Sequence, residues 1–350
     1  MTQTTRYASV LAKIGAQRST LLSEAKLKAL SDSKNLNDFA TQLQDTVYQV
    51  NIGRIQSPLS GRKLEHAFNE NLIKTYQKII QYSPKPSSEY LKLYLLRFEI
   101  ENIKIFIKGT LAGYSAEQKM YKTYPFVSCY IEKREIFEAA ANASTISQLI
   151  AAFKKTPYVS PLSMGLERYN KTNSTACLTV FLDVFFYEHL YRVYEALPKK
   201  EKPPARLYAS LENDGYILLS ILRGKNLNYD SNWLRLAIPH NYFNLNNKEV
   251  EALLSALNFD SAHQIVLSGY YANYFPKKET PEETLSKAER CFRRAVIEYA
   301  QSSRRFFFTI GLPLAYMTLK ETEASNLRTL ALGIEASIPP ETIQSQLFLR

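Results

Sequence analysis

The chain is poor in the residues on which phosphate loops and metal sites are built, and it lacks the long apolar runs of membrane spans. Only 11 of its 350 residues are glycine. No Gly-x-x-x-x-Gly-Lys-Ser/Thr or Gly-x-Gly-x-x-Gly run occurs, so nucleotide binding through a standard phosphate loop is excluded. Its three cysteines, Cys129, Cys177 and Cys291, are odd in number, far apart and without a Cys-x-x-Cys spacing. That argues against a disulfide framework or a zinc site and fits a reducing compartment. His66, His189, His240 and His263 are scattered singly, and no Ser/His/Asp or Cys/His set can be assembled from them. The most apolar windows, LTVFLDVFF from Leu178 and FFFTIGLPLAYMTL from Phe306, fall short of the roughly 20 residues needed to span a bilayer. The N-terminal MTQTTRYASVL lacks the apolar core of a signal peptide. The expectation is a chain with no catalytic residues, no cofactor, no metal and no membrane span of its own.

What the chain does have is apolar and basic. Hydrophobic residues make up 45 %, with 24 Tyr and 18 Phe, and the formal charge is +11. A positive excess of this size favours acidic partners, whether nucleic acid, lipid headgroups or an acidic protein surface. Its densest run, PKKEKPP from Pro198 to Pro204, reads as an exposed basic loop. RRFFFTIG from Arg304 could stack on single-stranded nucleic acid, or form a helix buried by its phenylalanines and solvated by its arginines.

Apolar residues recur at helical spacing along most of the chain, as at Leu27 and Leu30, or at Leu319, Leu327 and Leu330, and no block of alternating strands is found. The fold class expected is all-α. Breaks fall at 82–88, 156–163, 198–204, 275–283 and 337–342, where the prolines collect.

The strongest signal is internal repetition. LLRFEIENIKIFIKG, ASLENDGYILLSILRG and LKETEASNLRTLALG each close on a glycine, Gly109, Gly224 or Gly333, and each carries an acid ten residues earlier: Glu99, Asp214 and Glu323. Three residues after the acid come Asn102, Ile217 and Asn326, so one Asn of the three is lost. A second module, a helix, a turn and another helix, occupies 27–48, 137–158 and 250–271 and closes on Tyr48, Tyr158 and Tyr271. A third is an acid-x-x-Phe signature, Glu65 with Phe68, Asp183 with Phe186 and Glu289 with Phe292. The acids recur at intervals of 115 and 109 residues and the tyrosines at 110 and 113, so the chain is a triplicated unit of about 110 residues. The modules occur in an order that leaves the third acid helix at the C-terminus and the first helix pair at the N-terminus. The two ends should therefore complete one unit together. The expected units are 58–160, 174–275, and 280–350 together with 1–48, closed around a pseudo-threefold axis.

Lys320, Glu321, Glu323, Asn326 and Arg328 could be taken for an acid/base site. Recurrence of the arrangement in three units argues for a structural role instead, the acid and Asn satisfying backbone groups or an Arg, with a partner contact as the remaining reading. The residues singled out are Arg97, Glu99, Asn102, Asp183, Asp214, Glu323, Asn326 and Arg328.

These residues also carry a family resemblance. LPLAYMTLKETEASNLRTLALGIEASIPPETIQSQL (312–347), YLKLYLLRFEIENIKIFIKG (90–109) and YASVLAKIGAQRSTLLSEAKL (7–27) resemble the C subunit of archaeal A-type and bacterial V/A-type ATP synthases, equivalent to the d subunit of the eukaryotic V-type ATPase. The Lys-Glu-x-Glu-x-x-Asn-Leu-Arg core and the tail Pro339, Pro340, Glu341 and Ile343 are its most specific features. The resemblance implies a funnel of three helical subdomains and a non-catalytic rotor part on the cytoplasmic side of the membrane. Its implied partners are the proteolipid (c/K/L) ring and the D and F subunits of the central stalk, and its membrane association runs through the ring. An α-helical nucleic-acid-binding repeat scaffold is the alternative that the charge and aromatics leave open.

Overall fold

The computed structural model describes residues 3–302 and 306–349. Among these the fold is all-α, with nineteen α-helices and no strand. The repeated helix pairs form as Glu24–Ser31 with Leu36–Thr41, Arg134–Asn142 with Ile146–Ala152, and Asn247–Ser255 with Phe259–Ser268. Asn35, Thr145 and Asn258 occupy the same repeat position and start the second helix of each pair, their side chains accepting from the first-turn N–H groups. Each such cap contributes about 0.5–2 kcal/mol. The acids lie on three longer helices, Leu93–Leu111, Lys202–Asn226 and Gly311–Glu335, which we term the first, second and third acid helices.

The chain divides into two compact units, one of residues 1–95 with 297–350 and one of residues 96–296. In the former, Leu27, Leu30, Phe39, Leu43 and Tyr48 from the first helix pair pack with Leu327 and Leu330 of the third acid helix and with Ile343 and Leu347 of the tail. Segments from both ends of the chain thus share one core, and burying each large aliphatic side chain there contributes about 1.5–3 kcal/mol. In the latter unit, Ile217, Leu218, Ile221 and Leu222 of the second acid helix pack against Trp233, Leu234, Val250, Leu253 and Phe259. Around the first acid helix, the Phe106 and Phe137 rings meet edge to face at 4.8 Å.

All three acid helices end in the same way, and their glycines have a different job from the one a helix terminus suggests. Each helix runs two residues past its glycine, to Leu111, Asn226 and Glu335. The left-handed residue comes four after the glycine: Gly113 (φ 68), Asn228 (φ 56) and Ser337 (φ 54). Tyr114, Tyr229 and Ile338 then donate their N–H back to the Gly109, Gly224 and Gly333 carbonyls, each at 2.9 Å, closing a Schellman turn. The repeated glycines are needed for close approach. A Cβ there would lie 2.7 Å from Lys119 Cγ, 2.1 Å from Leu234 Cδ2 and 2.7 Å from Ile343 Cδ1, ten residues on in each copy.

Two local expectations are corrected. In PKKEKPP only Pro198 to Lys200 form an exposed turn; Glu201 is buried, and Lys202 begins the second acid helix. Pro203 and Pro204 lack an N–H where a helix leaves its first donors unpaired anyway, so they start a helix as readily as they end one. RRFFFTIG does not make a Phe-buried helix: Arg304 and Arg305 lie outside the described residues, and Phe307 and Phe308 stand 50 % and 44 % exposed in the link before the third acid helix.

Gly224→Ala should lower stability by about 1–2 kcal/mol, because overpacking against Leu234 outweighs the gain in helix propensity. A urea transition with a lower midpoint and an unchanged slope would report this; an unchanged midpoint would contradict it. His263 is buried, and its Nε2 has no hydrogen-bond partner. Burial holds its pKa below the ordinary value, with the Pro276 backbone and Asp260 pulling the other way. The unfolded chain therefore binds this proton more readily, and stability should fall as pH drops through about 6.5 toward the lower folded-state pKa. His263→Leu should remove that part of the slope in melts collected between about pH 5 and 7.

Candidate functional site: three clamped carboxylates

Glu99, Asp214 and Glu323 are each 1 % exposed or less. A carboxylate so buried must find donors, and in each copy they come from the same two places. The first is the tyrosine that closes the helix pair. Tyr158 donates to Glu99 Oε1 at 2.6 Å, Tyr271 to Asp214 Oδ2 at 2.8 Å and Tyr48 to Glu323 Oε1 at 2.8 Å. Burial, reinforced by the neighbouring acid, pushes the Tyr158 and Tyr271 hydroxyls well above their ordinary pKa.

The second source is backbone. Glu99 accepts from the N–H groups of Cys129, Tyr130 and Ile131 at 2.7, 2.8 and 3.3 Å. Asp214 accepts from Phe243, Asn244 and Leu245 at 3.0, 2.7 and 3.3 Å. Glu323 accepts from Leu22 N–H, near the other end of the chain. It also receives the ammonium of Lys320 at 2.8 Å, and that ammonium lies 4.2 Å from the centre of the Tyr48 ring and bonds its hydroxyl at 2.9 Å. The positions equivalent to Lys320 are Leu96 and Leu211, so a buried lysine at this point belongs to the third copy alone.

The asparagines hold a second strand of backbone. Asn102 accepts from Tyr124 N–H at 2.7 Å and donates to its carbonyl at 3.3 Å. Asn326 does the same to Phe348 at 2.9 and 2.8 Å, again 22 residues downstream. Where Ile217 has replaced the Asn, Asn213 reaches the Asn241 carbonyl at 2.8 Å from one turn earlier on the same helix. In the third copy the clamps therefore grip Phe348 and Leu22, segments from opposite ends of the chain.

The remaining residues singled out from the sequence join helix to helix. Asp183 takes the Lys104 ammonium at 2.6 Å. Burial presses the Lys104 pKa down, but Asp183 and Glu101 outweigh it and hold the pKa above the ordinary value. Glu65 meets Arg328 at 3.8 Å, and Glu289 meets Arg223. Lys104 and Arg328 both stand five residues after their acid, while Arg223 stands nine after, one helical turn further along the same face. Arg97 pairs with Glu212, and its guanidinium lies 5.1 Å from the centre of the Phe186 ring. Both members of that pair stand two residues before an acid, so repeat-equivalent positions touch each other.

Sequence spacing alone missed several partners. The tyrosines emerged as markers of period, yet their offsets of 59 and 57 residues from Glu99 and Asp214 are too long to suggest a bond. Phe68 and Phe292 lie against Tyr48 and Tyr271, with ring centres 5.4 and 5.7 Å apart. Against Tyr158 the ring is Phe185, at 5.5 Å, and not the in-register Phe186. Lys119 and Lys225, from different repeat positions, reach the Ala141 and Leu254 carbonyls at 3.1 and 2.6 Å, at equivalent helix ends. Burial lowers the pKa of both lysines.

Chemically the site is closed. A substrate would have to displace the protein's own donors from oxygens that solvent does not reach. Among the described residues no group of three or more His, Cys, Asp or Glu side chains is arranged to hold a metal, and no helix is long and apolar enough to cross a membrane.

The pattern of acid, amide and tyrosine runs the length of the chain, and residues 10–346 match the family model described as ATP synthase (C/AC39) subunit. The chain belongs to that family. It is 26 % identical to the C subunit of the A-type ATP synthase of Thermococcus kodakarensis over 97 % of this chain and 90 % of that protein. It is 27 % identical to the protein of the same name from Methanocaldococcus jannaschii, over 97 % of this chain and 86 % of that one. In this ATP synthase subunit, then, the acids and asparagines singled out from the sequence are hydrogen-bonded within the protein.

Glu99→Ala should cost about 3–5 kcal/mol, because it strands several buried donors at about 1–3 kcal/mol each. Tyr158→Phe should cost about 1.5–3 kcal/mol, as for one bond to a charged group. Chemical denaturation of both variants and of the double variant tests this. Additive losses would show that the two groups do not act through each other.

Proposed function

We propose that this protein is a non-catalytic rotor adaptor that couples the membrane proteolipid ring to the central stalk of an A/V-type rotary ATP synthase or ATPase. In this reading the units 58–160, 174–275, and 280–350 with 1–48 close about a pseudo-threefold axis into a funnel on the cytoplasmic face. The adaptor rests on the c/K/L ring, receives the D and F subunits of the central stalk, and touches the membrane only through the ring. Neither enzymatic turnover nor nucleic-acid binding is part of the role.

The observation that carries the reading is one clamp built three times in a chain that matches the family along its length. Equivalent positions of a repeat approach each other near a symmetry axis, and the Arg97–Glu212 pair supports such an axis. Torque transmission needs elements that do not shear, and clamped backbone with satisfied buried charge is of that kind.

Co-purification of the tagged chain from detergent-solubilised native membranes should bring down the proteolipid together with the two stalk proteins. Recovery of neither would overturn the proposal. With a formal charge of +11, attachment to the ring should weaken as salt rises from about 50 to 500 mM, since screening shortens the reach of surface charge. Salt-insensitive attachment would remove electrostatics from the docking.

A further inference from the structure

A groove of about 500 Å³ is lined by the second helix of the first pair, Leu36–Thr41, the short helix Gln49–Ile52 and the segment 55–59. Ile55 and Leu59, both half-buried, contribute apolar lining. Asn37, Gln44 and Gln49 contribute side-chain amides that are exposed and, among the described residues, bonded to no other group of the protein. No ionisable side chain of the described residues lines the groove, which sets it apart in a chain of net charge +11. The charged residues of 37–59 are Asp38, Asp45 and Arg54, and each is engaged outside the groove: Asp38 with the Lys34 N–H and Gln42, Asp45 with Lys26, and Arg54 with Glu70. The amides are also particular to this copy. Asn37 and Gln44 correspond to Ser147 and Lys154 in the pair 137–158, and to Asp260 and Leu267 in the pair 250–271. What the shared fold requires recurs in each copy, and these amides do not.

We propose that this groove binds an extended, uncharged segment of a partner polypeptide, with Asn37, Gln44 and Gln49 on its peptide groups and Ile55 and Leu59 against its apolar side chains. A primary amide carries a donor and an acceptor side by side, the complement of a peptide group. The protein already uses this pairing internally, where Asn102 and Asn326 each hold the N–H and carbonyl of one residue. An extended segment leaves such groups free to be met, whereas in a helix they are bonded to each other. Its alternate side chains point the same way, so every second residue can reach the apolar lining. Phosphates, lipid headgroups and nucleic acid would find no cation in the lining, and a sugar would find no aromatic ring to stack on. The volume lies within the range of ligand sites. The inference is independent of the adaptor reading, since it names the chemistry of a segment and not a member of the complex.

The experiment is an NMR titration of the full, isotope-labelled chain with the acetylated, amidated pentapeptide Ser-Val-Thr-Val-Ser. The side-chain amide signals of Asn37, Gln44 and Gln49 should shift together along one saturating curve. Gln44→Leu/Gln49→Leu should raise the Kd about tenfold, as expected for the loss of two net hydrogen bonds. Both residues are exposed, and unchanged circular dichroism and melting would show that the fold survives. With no charge in the groove, the Kd should hold within about twofold from about 50 to 500 mM salt. The proposal falls if no saturable shift appears, or if the Kd rises tenfold with salt. It falls equally if the same peptide N-methylated at its three central residues binds as well, since that analogue keeps the side chains and lacks the N–H groups. Equal shifts with maltose or inorganic phosphate would also overturn it. Because this binding is read on the isolated chain and the adaptor role on native membranes, either can fail while the other stands.

Discussion

A carboxylate taken out of water must be met by donors, and the fold is organised around doing this three times. The ordinary way to satisfy a buried acid is a nearby basic side chain. Here the main donors at Glu99 and Asp214 are backbone N–H groups about 30 residues downstream and a tyrosine nearly 60 residues downstream. One small group thereby fixes three separate pieces of chain: its own helix, the loop that follows and the end of a helix pair. Leaving any of these undocked strands a charge in the interior, so the pieces are bound to fold together.

The third clamp shows what changes when the gripped segments come from opposite ends of the chain. Glu323 still holds the tyrosine and a backbone N–H, and Asn326 still holds a peptide group, but Phe348 and Leu22 are sequence-distant. Lys320 brings an ammonium to this carboxylate alone of the three. A charged donor bonds a carboxylate more strongly than a neutral one does, which suits a junction where loop connectivity gives no help. Tyr48 bonds both the ammonium and the carboxylate, which also bond each other, so lysine, tyrosine and glutamate close a triangle of hydrogen bonds.

For a component of an ATP synthase, this places the chemistry-bearing residue types in the framework. The polar run that most resembles an active site in sequence is the run that ties the chain's ends together.

Much of this was legible in the residues and some was not, for identifiable reasons. Helical periodicity, the triplication, the acids, the glycines and the tyrosines were readable because each copy must solve the same packing problem, which leaves the same residue type at the same interval. The missing Asn of the second copy was visible as Ile217, but its replacement was not. Asn213 reaches the loop from the preceding turn but only donates, its own amide oxygen staying unpartnered, so half of the two-way clamp is kept. Arg223 in place of a residue five after the acid is a substitution of the same kind, while Phe185 in place of Phe186 is a shift of one residue along the helix. The amino-acid order thus determined which elements form and at what intervals the same residue types recur, because those follow from local period and composition. Only the tertiary structure decided which donor meets which acid. A hydrogen bond depends on where atoms lie in space, and neighbouring turns of a helix can deliver different residues to one point.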